Sequence, residues 1–523
     1  MKTSRAVFAL VFVLASAPAA LSAGGAAVPS VYPVGGDADL PPRYKTWLED
    51  EVNLIISPRE RSVFLELRTE RERDMFIEAF WKHRDPEPRT PRNEFREEHY
   101  ARLTYADEVF GRGTPRPGRK TDQGRVYIVL GPPRTIERFE NIMGVHPVQV
   151  WSYYGDPESG LPAAFNVVFF RREGTGEYVL YSPAADGPQS LIADLLVDAP
   201  DVQSVYKELL RRAPNLAPQS LTLVPSEHLG PGFPSLASTM LLANVFTSPQ
   251  KKVQDDYALA LLRNKDIIEV EYSANYIGSD GLVLPIREAG GLTRIHTTIE
   301  PRKLSVAEVE GRYEVPFVLN GRVTDKSGRT VYQYEKSFIF SLEPDRLKEV
   351  AATSVSLQDS FPLIPGRYAV DILLKNTASK EFTSLAAEVE IPQGGLSPSL
   401  GPLALGYGLE DRPATDGRPP FLAGGRLLRL QGRRTFSVRD RLVIFGQVYG
   451  LGPDLRATGR LRRIILREDK ELARREDRVA DLVGPDGSFF LEQDLKDSTP
   501  GYYRAAVTLL DAAGKEIGTA KAD

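Results

Sequence analysis

The spacing of the apolar residues changes along this chain, and the change decides which secondary structures it can bury. Before residue 111 they recur every three or four positions, as in Met75, Phe76, Ala79 and Phe80, which is the period of one helical face. Beyond residue 125 most apolar runs alternate with polar residues, as strands do. Because short amphipathic helices are not stable alone, the sequence predicts helices packed together or on a sheet, followed by domains built from strands.

Capping signals mark where the first helices begin. The tetrads that start at Ser57 and Thr69 each place a glutamate three residues after a hydroxyl, so both side chains can accept hydrogen bonds from free backbone N–H groups. The helix after Thr69 should end near Asp85-Pro86, because the residue before a proline disfavours helical backbone angles. A first helix is predicted ahead of Ser57, because Trp47, Leu48, Val52, Ile55 and Ile56 lie along one helical face. Thr90-Pro91 is expected to open a fourth helix with an apolar side that reaches Phe110.

Four segments after Gly118 are predicted as strands because they are apolar, alternating and bounded by Gly and Pro: Val126–Leu130, Val148–Tyr154, Phe165–Phe170 and Tyr178–Tyr181. Further strands are predicted in the C-terminal half, at Tyr257–Leu262, Ile267–Tyr276, Tyr313–Val323, Val331–Phe340 and Tyr368–Leu374. Regular turn signals between these later strands are typical of antiparallel sandwiches.

The predicted fold class is therefore multidomain, α+β and then all-β. At 523 residues the chain has room for several domains. The predicted order is a signal peptide at 1–23, a flexible leader at 24–43, an α+β module at 44–183, a helical connector at 184–250, a β-sandwich at 251–393, a Gly/Pro-rich linker at 394–425 and a second β-sandwich at 426–523.

An internal repeat supports two related sandwiches. Gln358-Asp359, Pro365-Gly366 and Tyr368 recur 135 positions later, without a gap, as Gln493-Asp494, Pro500-Gly501 and Tyr503. The aliphatic positions of the next strand and the Lys-Glu of the following hairpin recur at the same offset. Pro-Gly makes a turn, and a Tyr at the start of a strand can bond the backbone through its hydroxyl.

The N-terminus predicts export. Lys2 and Arg5 precede a short apolar run, Ala6–Ala17, and a tract of small residues follows, which is the pattern of a signal peptide cleaved after Ser22 or Ala23. The run is shorter than the roughly 20 residues that a membrane span requires. The chain has no Cys, which excludes disulfides, thiolate nucleophiles and a lipoprotein anchor. The predicted location is periplasmic or extracellular, with no span in the mature protein.

One stretch, Trp81–Pro133, resembles the GWxTD domain, a module of exported bacterial proteins named for a Gly-Trp-x-Thr-Asp element. Here the element reads GRKTD, so the eponymous Trp is replaced: Gly118, Arg119, Lys120, Thr121 and Asp122. The resemblance implies export but no particular activity. We expect a turn before the first strand in which Asp122 accepts backbone hydrogen bonds. Arg119 cannot bury the area of a Trp, so it should stack on a neighbour or project into water.

The histidines favour structural roles. No two of the five stand at the i, i+4 spacing of a helical zinc site, so no metal site is predicted. His99 shares the stripe of Phe95 and Leu103 and is expected in the core. His83 could form an acid–base pair with Asp85. At a helix C-terminus, however, a His is well placed against the helix dipole, and this is the interpretation we prefer.

A carboxylate pair is the second candidate site. Asp122 and one of Glu94, Glu97 or Glu98 could act as a glycosidase-like pair. These glutamates alternate with arginines, which is typical of a solvated, ion-paired helix face. The sequence therefore predicts no catalytic residue and retains only a candidate polar cluster: His83, Asp85, Glu94, Glu97 and Glu98.

Other catalytic motifs find no match in the sequence, and no cofactor is predicted. Gly131-Pro132-Pro133 is no phosphate loop, because no Lys-Ser/Thr follows and proline lacks the N–H donor. No Gly-x-Ser-x-Gly elbow supports serine hydrolysis. The net charge of -4 gives no basic excess for nucleic acid.

The sequence favours an exported binding or scaffold protein of the bacterial cell envelope, with envelope proteins or glycans as partners. Two alternatives stay open, a carboxylate-dependent envelope hydrolase and a purely structural spacer. A carboxylate of raised pKa in a concave pocket would favour the hydrolase. Carboxylates in exposed arginine pairs would favour binding, and a spacer would have no concave surface in any domain.

Overall fold

The computed structural model describes most of the chain: residues 11–13, 40–88, 90–193, 201–225, 227, 235–251, 253–268, 272, 275–303, 305–309, 312–342, 355–393, 397–411 and 419–523. The protein divides into two compact units. One covers residues 30–265 and is called the N-terminal unit here. The other covers residues 266–523 together with residues 1–29 and is called the β unit.

Eight α-helices lie in the described part of the N-terminal unit: α1 (Pro42–Thr46), α2 (Pro58–Glu66), α3 (Glu70–Lys82), α4 (Glu94–Phe110), α5 (Asp122–Leu130), α6 (Val202–Arg212), α7 (Leu236–Lys251) and α8 (Asp256–Asn264). A π-helical turn, Trp47–Glu51, continues α1. Short 3₁₀ turns lie at Gly118–Lys120, Pro157–Ser159, Arg172–Gly174, Pro188–Leu191 and Ala217–Ser220.

Both predicted capping boxes are confirmed. Ser57 Oγ accepts the Glu60 N–H at 3.1 Å, and Glu60 Oε2 accepts the Ser57 N–H at 2.8 Å. The same reciprocal pair joins Thr69 and Glu72 at the start of α3. The fourth helix begins later than predicted, at Glu94, because the side chain of Asn93 accepts the Arg96 N–H and caps it there.

A four-stranded antiparallel sheet follows the first helices, in the order β2 (Thr135–Phe139), β3 (Val148–Tyr154), β4 (Ala164–Phe170) and β5 (Val179–Leu180). Three of these strands match predictions. Their buried side chains share one core with α6 and α7, which supply Val205, Leu209, Leu241 and Val245. The helices of the predicted connector therefore pack on the core of the sheet.

Two predicted strands are helices instead. Val126–Leu130 lies in α5, because Thr121 caps a helix N-terminus and so sets the backbone for a helix. A run of five apolar residues cannot by its periodicity alone distinguish a strand from a buried helix. Tyr257–Leu262 lies in α8, which buries Tyr257, Ala258 and Leu261 at helical spacing. Residues 269–271 and 273–274 of the predicted strand Ile267–Tyr276 lie outside the described residues.

The first half of the β unit contains two facing sheets, whose buried side chains form one core. One sheet has the order β1-β11-β7-β6, in which β1 comes from the predicted signal peptide and runs parallel to β11. The other has the order β10-β9-β12-β13, with β8 paired to β9. The strands are β1 (Val11–Val13), β6 (Ser279–Arg287), β7 (Thr293–Pro301), β8 (Ala307–Val309), β9 (Arg312–Asp325), β10 (Thr330–Leu342), β11 (Ser356–Leu363), β12 (Gly366–Asn376) and β13 (Glu381–Ile391).

The second half of the β unit has two larger sheets and one small sheet. The first pairs β14, β15 and β22 with β19, the second has the order β21-β20-β23-β24, and the small one has the order β16-β18-β17. The elements are β14 (Ser399–Leu400), β15 (Ala404–Gly406), β16 (Gly408–Asp411), β17 (Leu422–Ala423), β18 (Arg426–Arg429), β19 (Arg441–Tyr449), α9 (Pro453–Thr458), β20 (Arg460–Arg467), β21 (Lys470–Arg478), α10 (Val479–Leu482), β22 (Ser488–Asp494), β23 (Tyr503–Leu510) and β24 (Glu516–Ala522). The described part of the predicted linker thus contributes strands.

The internal repeat has a structural counterpart. The sheets β10-β9-β12-β13 and β21-β20-β23-β24 have the same antiparallel strand order. At the start of β12, Tyr368 donates its hydroxyl to the Ile364 carbonyl at 3.2 Å, and at the start of β23 Tyr503 donates to the Thr499 carbonyl at 2.6 Å. The predicted fold class, multidomain α+β and all-β, is confirmed.

Candidate functional site

Gly118 brings the backbones of two helices together. A Cβ at Gly118 would lie 1.9 Å from the carbonyl oxygen of Ala106 in α4 and 2.6 Å from the nitrogen of Gly111. A Cβ at Gly124, in the first turn of α5, would lie 1.9 Å from the Gly118 carbonyl oxygen. Only glycine permits backbone approaches of this kind. The glycines therefore clamp α4, the 3₁₀ turn and α5 against one another.

Hydrogen bonds of Thr121 and Asp122 hold the start of α5 in place. Thr121 is buried, accepts the Gly124 N–H at 3.1 Å and donates to the Gly118 carbonyl at 2.7 Å. Asp122 begins α5, where a carboxylate is favourable against the helix dipole, and it accepts the Leu180 N–H of β5 at 2.9 Å. The turn that we expected before a strand is instead the N-terminus of helix α5, capped by Thr121. The expected acceptor role of Asp122 is correct, and it joins the helix to the sheet.

Arg119, at the position of the family Trp, forms an ion pair with Asp107 of α4. Its backbone N–H and its Nε donate to the two Asp107 oxygens at 2.8 and 2.7 Å. Burial alone would raise the pKa of Asp107, but the hydrogen bonds from Arg119 outweigh it and lower that pKa. Arg119 therefore neither stacks on a ring nor projects freely into water. Its neighbour Lys120 pairs with Asp50 at 2.6 Å.

A cavity of about 470 Å³ opens beside the motif, and Thr121 and Gln123 contribute to its lining. It lies between the pair α4–α5 and the face of the sheet that carries Trp151. Aromatic rings form a continuous wall: Tyr105 stacks on Tyr127 with centroids 4.5 Å apart, and Phe110 contacts Tyr127 at 5.6 Å and Trp151 at 5.5 Å. We call these four residues the aromatic wall.

A chain of hydrogen bonds forms the polar floor of the cavity. Gln123 Nε2 and Trp151 Nε1 donate to Gln149 Oε1 at 3.0 and 3.2 Å. Gln149 Nε2 and the Tyr178 hydroxyl donate to Glu140 Oε1 at 3.3 and 3.0 Å. Burial, followed by the bond to Glu140, raises the pKa of Tyr178, so Tyr178 remains a neutral donor. The amide of Gln149 is therefore fixed in one orientation, with donors and acceptors preset.

No motif in the sequence marks this site. Its lining residues range from Tyr105 to Tyr178, and none belongs to the predicted polar cluster. One weak signal was present, since Tyr105 lies off the apolar stripe of α4 and 43% of it is exposed. Gln149 and Trp151 are two residues apart in a strand and so point to the same face, but nothing local pairs them with Gln123.

The predicted cluster is not assembled into a site in the described part of the chain. Glu97 pairs with Arg92, whose hydrogen bond lowers the carboxyl pKa, whereas a general acid needs a raised one. Glu98 pairs with Arg102, and Glu94 accepts the Thr90 hydroxyl at 2.8 Å. All these pairs are at the surface.

His83 and Asp85 have separate contacts. Asp85 accepts the Glu87 N–H at 3.0 Å, while the His83 ring stacks on Tyr257 with centroids 4.1 Å apart. Burial, then the charges of Arg84 and Lys82, lowers the pKa of His83 to about 4. His83 is the C-cap residue of α3, which is the place against the helix dipole that the preferred interpretation gives it.

His99 lies in the core, as expected. It is 3% exposed, and its Nε2 bonds the Glu51 carbonyl at 2.8 Å. Burial is also the main reason that its pKa falls to about 4, even though the bond to Glu51 opposes the shift. Both histidines are therefore neutral at pH 7.

We expect the N-terminal unit to lose stability in mild acid. A folded pKa near 4 is below the unfolded value of about 6.5, so the stabilisation is complete above that value and is lost as the pH falls toward 4. At pH 5 each histidine should cost about 2 kcal/mol relative to pH 7. All three tryptophans lie in this unit, so urea unfolding followed by Trp fluorescence reports on it. Equal midpoints at pH 5 and pH 7 would contradict the expectation.

A buried ion pair joins α2 to the end of α3 and to α8. Arg84 donates to both oxygens of Glu60, at 2.8 and 2.7 Å, and both side chains are almost fully buried. Tyr257 donates its hydroxyl to Glu60 Oε1 at 2.6 Å. Arg84 also donates to the carbonyls of Phe80 and Ile55. Every oxygen of Glu60 is occupied by the protein, so this cluster is structural.

Within the described ranges, no group of three or more His, Cys, Asp or Glu side chains is placed to hold a metal ion. None of the helices in those ranges has both the length and the apolar character needed to cross a membrane.

The fold and site define a multidomain protein with an α+β N-terminal module that holds the GRKTD motif beside a cavity, followed along the chain by all-β sheets. Residues 42–180 match the GWxTD domain, so this is a GWxTD domain-containing protein. The match spans the described helices α1–α5 and the sheet β2–β5. No curated protein matches the chain.

Solved structures show only distant likeness. Red sea bream transglutaminase shares 8% identity at a TM-score of 0.17, covering 57% of this chain and 35% of its own. Pseudomonas fluorescens alkylpurine DNA glycosylase AlkC bound to DNA shares 13% sequence identity at a TM-score of 0.13, and the alignment covers 37% of this chain and 46% of the glycosylase. The chicken interferon gamma receptor alpha chain shares 12% sequence identity at a TM-score of 0.13, and the alignment covers 47% of this chain and 96% of the receptor chain. The alignments thus span well under two thirds of the first two proteins, and at these scores none of the three supports an inference about this protein.

Proposed function

We propose that this protein is an exported binding protein of the bacterial cell envelope, and that its GWxTD domain holds a ligand in the cavity beside the GRKTD motif. The observation that carries the proposal is the cavity, with its aromatic wall and preset amide floor. Its volume lies within the range of roughly 300–1,000 Å³ that is usual for ligand sites. Export rests on the signal-peptide pattern of the N-terminus.

The sandwiches of the β unit would dock or present this domain. Envelope proteins or glycans are the partners that we expect. The hydrolase alternative is less well supported, because Glu97 has a lowered pKa and Asp122 bonds the backbone of Leu180. A spacer would need no cavity, so that alternative is also less well supported.

The test is affinity capture from envelope extracts with the full chain, followed by mass spectrometry. Val109→Trp should fill the cavity, because Val109 lines it from α4 and is 37% exposed. The matched control is Leu210→Trp, on helix α6 and 42% exposed but away from the cavity. We expect wild type and Leu210→Trp to retain the same component and Val109→Trp to lose at least about nine tenths of it, which corresponds to a free-energy loss of about 1.4 kcal/mol.

Two results would argue against a ligand in the cavity. One is that wild type and Val109→Trp retain equal amounts of the captured component, while Trp fluorescence shows that both proteins are folded. The other is that wild type retains nothing above a column without protein.

A further inference from the structure

The cavity has an excess of positive charge on its lining. Arg112, Arg138 and Arg171 line it, and within the described residues no carboxylate forms an ion pair with any of them. Arg112 donates its Nε to the Glu108 carbonyl, a neutral acceptor. A guanidinium group is planar and can donate two parallel hydrogen bonds to the two oxygens of one carboxylate.

The negative groups nearby are already engaged. Glu177, which also lines the cavity, accepts two hydrogen bonds from Arg116, at 3.0 and 2.6 Å. Glu140 accepts from Tyr178 and Gln149 in the floor, which are neutral donors, so it keeps one negative charge. The three arginines of the lining outnumber this one carboxylate, so the cavity carries a net positive charge and attracts an anion.

Arg171 is held at the cavity by a neighbouring aromatic ring. Its guanidinium lies over the Tyr178 ring, 4.6 Å from the centroid, which fixes the side chain at the cavity. Its Nε is buried and has no hydrogen-bond acceptor among the described residues. The Nε atoms of Arg73, Arg102, Arg294 and Arg467 are in the same state, so this donor alone does not point to a ligand.

The remainder of the lining indicates what the anion is attached to. The aromatic wall offers ring faces to an apolar or ring-shaped surface, and Gln123 and Gln149 offer both donors and acceptors. A sugar ring presents both an apolar face and hydroxyls that donate and accept. An extended peptide would instead need backbone partners along a strand edge, whereas the groups that distinguish this cavity are side chains.

We propose that the ligand of this cavity is a saccharide that carries a carboxylate, held by Arg138 and Arg171 through the carboxylate and by the aromatic wall and the Gln123–Gln149 amides through the ring. The proposal rests on the proposed function and names the substrate class of the same site.

The test is calorimetric titration of the full chain with two pairs of disaccharides that differ in carboxylates. The first pair is N-acetylglucosaminyl-N-acetylmuramic acid and its neutral counterpart N,N′-diacetylchitobiose. The second is digalacturonic acid and digalactose. We expect at least one acidic member to bind about tenfold or more tightly than its neutral counterpart. Arg138→Gln and Arg171→Gln should each weaken the acidic member about tenfold and leave the neutral one unchanged.

Arg134→Gln is the matched control, since Arg134 is exposed and lies over Tyr154 outside the cavity lining. It should bind like wild type. Equal affinity for acidic and neutral members overturns the assignment of the carboxylate. The assignment of the ligand as a saccharide is wrong if neither acidic disaccharide binds. It is also wrong if triglutamate binds as tightly as the acidic disaccharides. If the saccharide assignment fails but Val109→Trp still loses the captured component that wild type retains, the cavity binds another class of ligand and only this inference fails. If capture also fails, the proposed function fails with it.

Discussion

Replacement of Glu60 by alanine is expected to reduce the free energy of unfolding of the N-terminal unit by about 3–5 kcal/mol. Arg84 is almost fully buried and would keep its charge without the carboxylate that it now binds through two hydrogen bonds. The Ser57 N–H and the Tyr257 hydroxyl would lose their acceptor at the same time. Removing one member of a buried pair costs more than the pair contributes, because the remaining charge is uncompensated.

Urea unfolding followed by Trp fluorescence measures this loss, and two variants serve as controls. Glu97→Ala removes an exposed pair with Arg92 and should leave the midpoint unchanged. The double variant Glu60→Met with Arg84→Met should regain part of the loss, because no charge is left unpaired in the core. If Glu60→Ala unfolds at the same urea concentration as Glu97→Ala, the buried pair does not carry the stability that we assign to it.

Gly118→Ala should destabilise the N-terminal unit by about 3 kcal/mol or more. The new methyl group would lie 1.9 Å from the Ala106 carbonyl oxygen and 2.6 Å from the Gly111 nitrogen, and both are backbone atoms that cannot move alone. Relief requires α4 and the 3₁₀ turn to separate, which would also disturb the Thr121 cap of α5. The effect should appear as a lower urea midpoint and as weaker ligand capture.

Gly290→Ala is the control for this variant. Gly290 lies in the β unit and has neither an atom within 4 Å of an added Cβ nor a left-handed backbone, so its replacement should leave the urea midpoint of the N-terminal unit unchanged. A Gly118→Ala protein as stable as Gly290→Ala would show that the contact between α4 and the turn can relax, and the account of the motif as a backbone clamp would be wrong.

Local chemistry explains which parts of the fold were predictable. Ser57 and Thr69 predicted helix starts because a cap needs only residues three positions apart. The repeat was visible because each turn, Tyr and strand start is a local pattern, and Tyr368 and Tyr503 each bond a carbonyl four residues before them. Prediction failed at Val126–Leu130, where a short apolar run is compatible with either structure and the cap at Thr121 decides.

The chain order of residues was thus sufficient for the class of fold, the first helix starts, the doubled sandwich pattern and the GRKTD motif, because each depends on neighbours within a few positions. The cavity, the buried Glu60–Arg84 pair and the neutral state of His83 came only with the folded chain. They depend on contacts between side chains far apart in sequence, such as Gln123 with Gln149 and Glu60 with Tyr257. They also depend on burial, which no local pattern specifies and which sets the charge of a side chain once water is excluded.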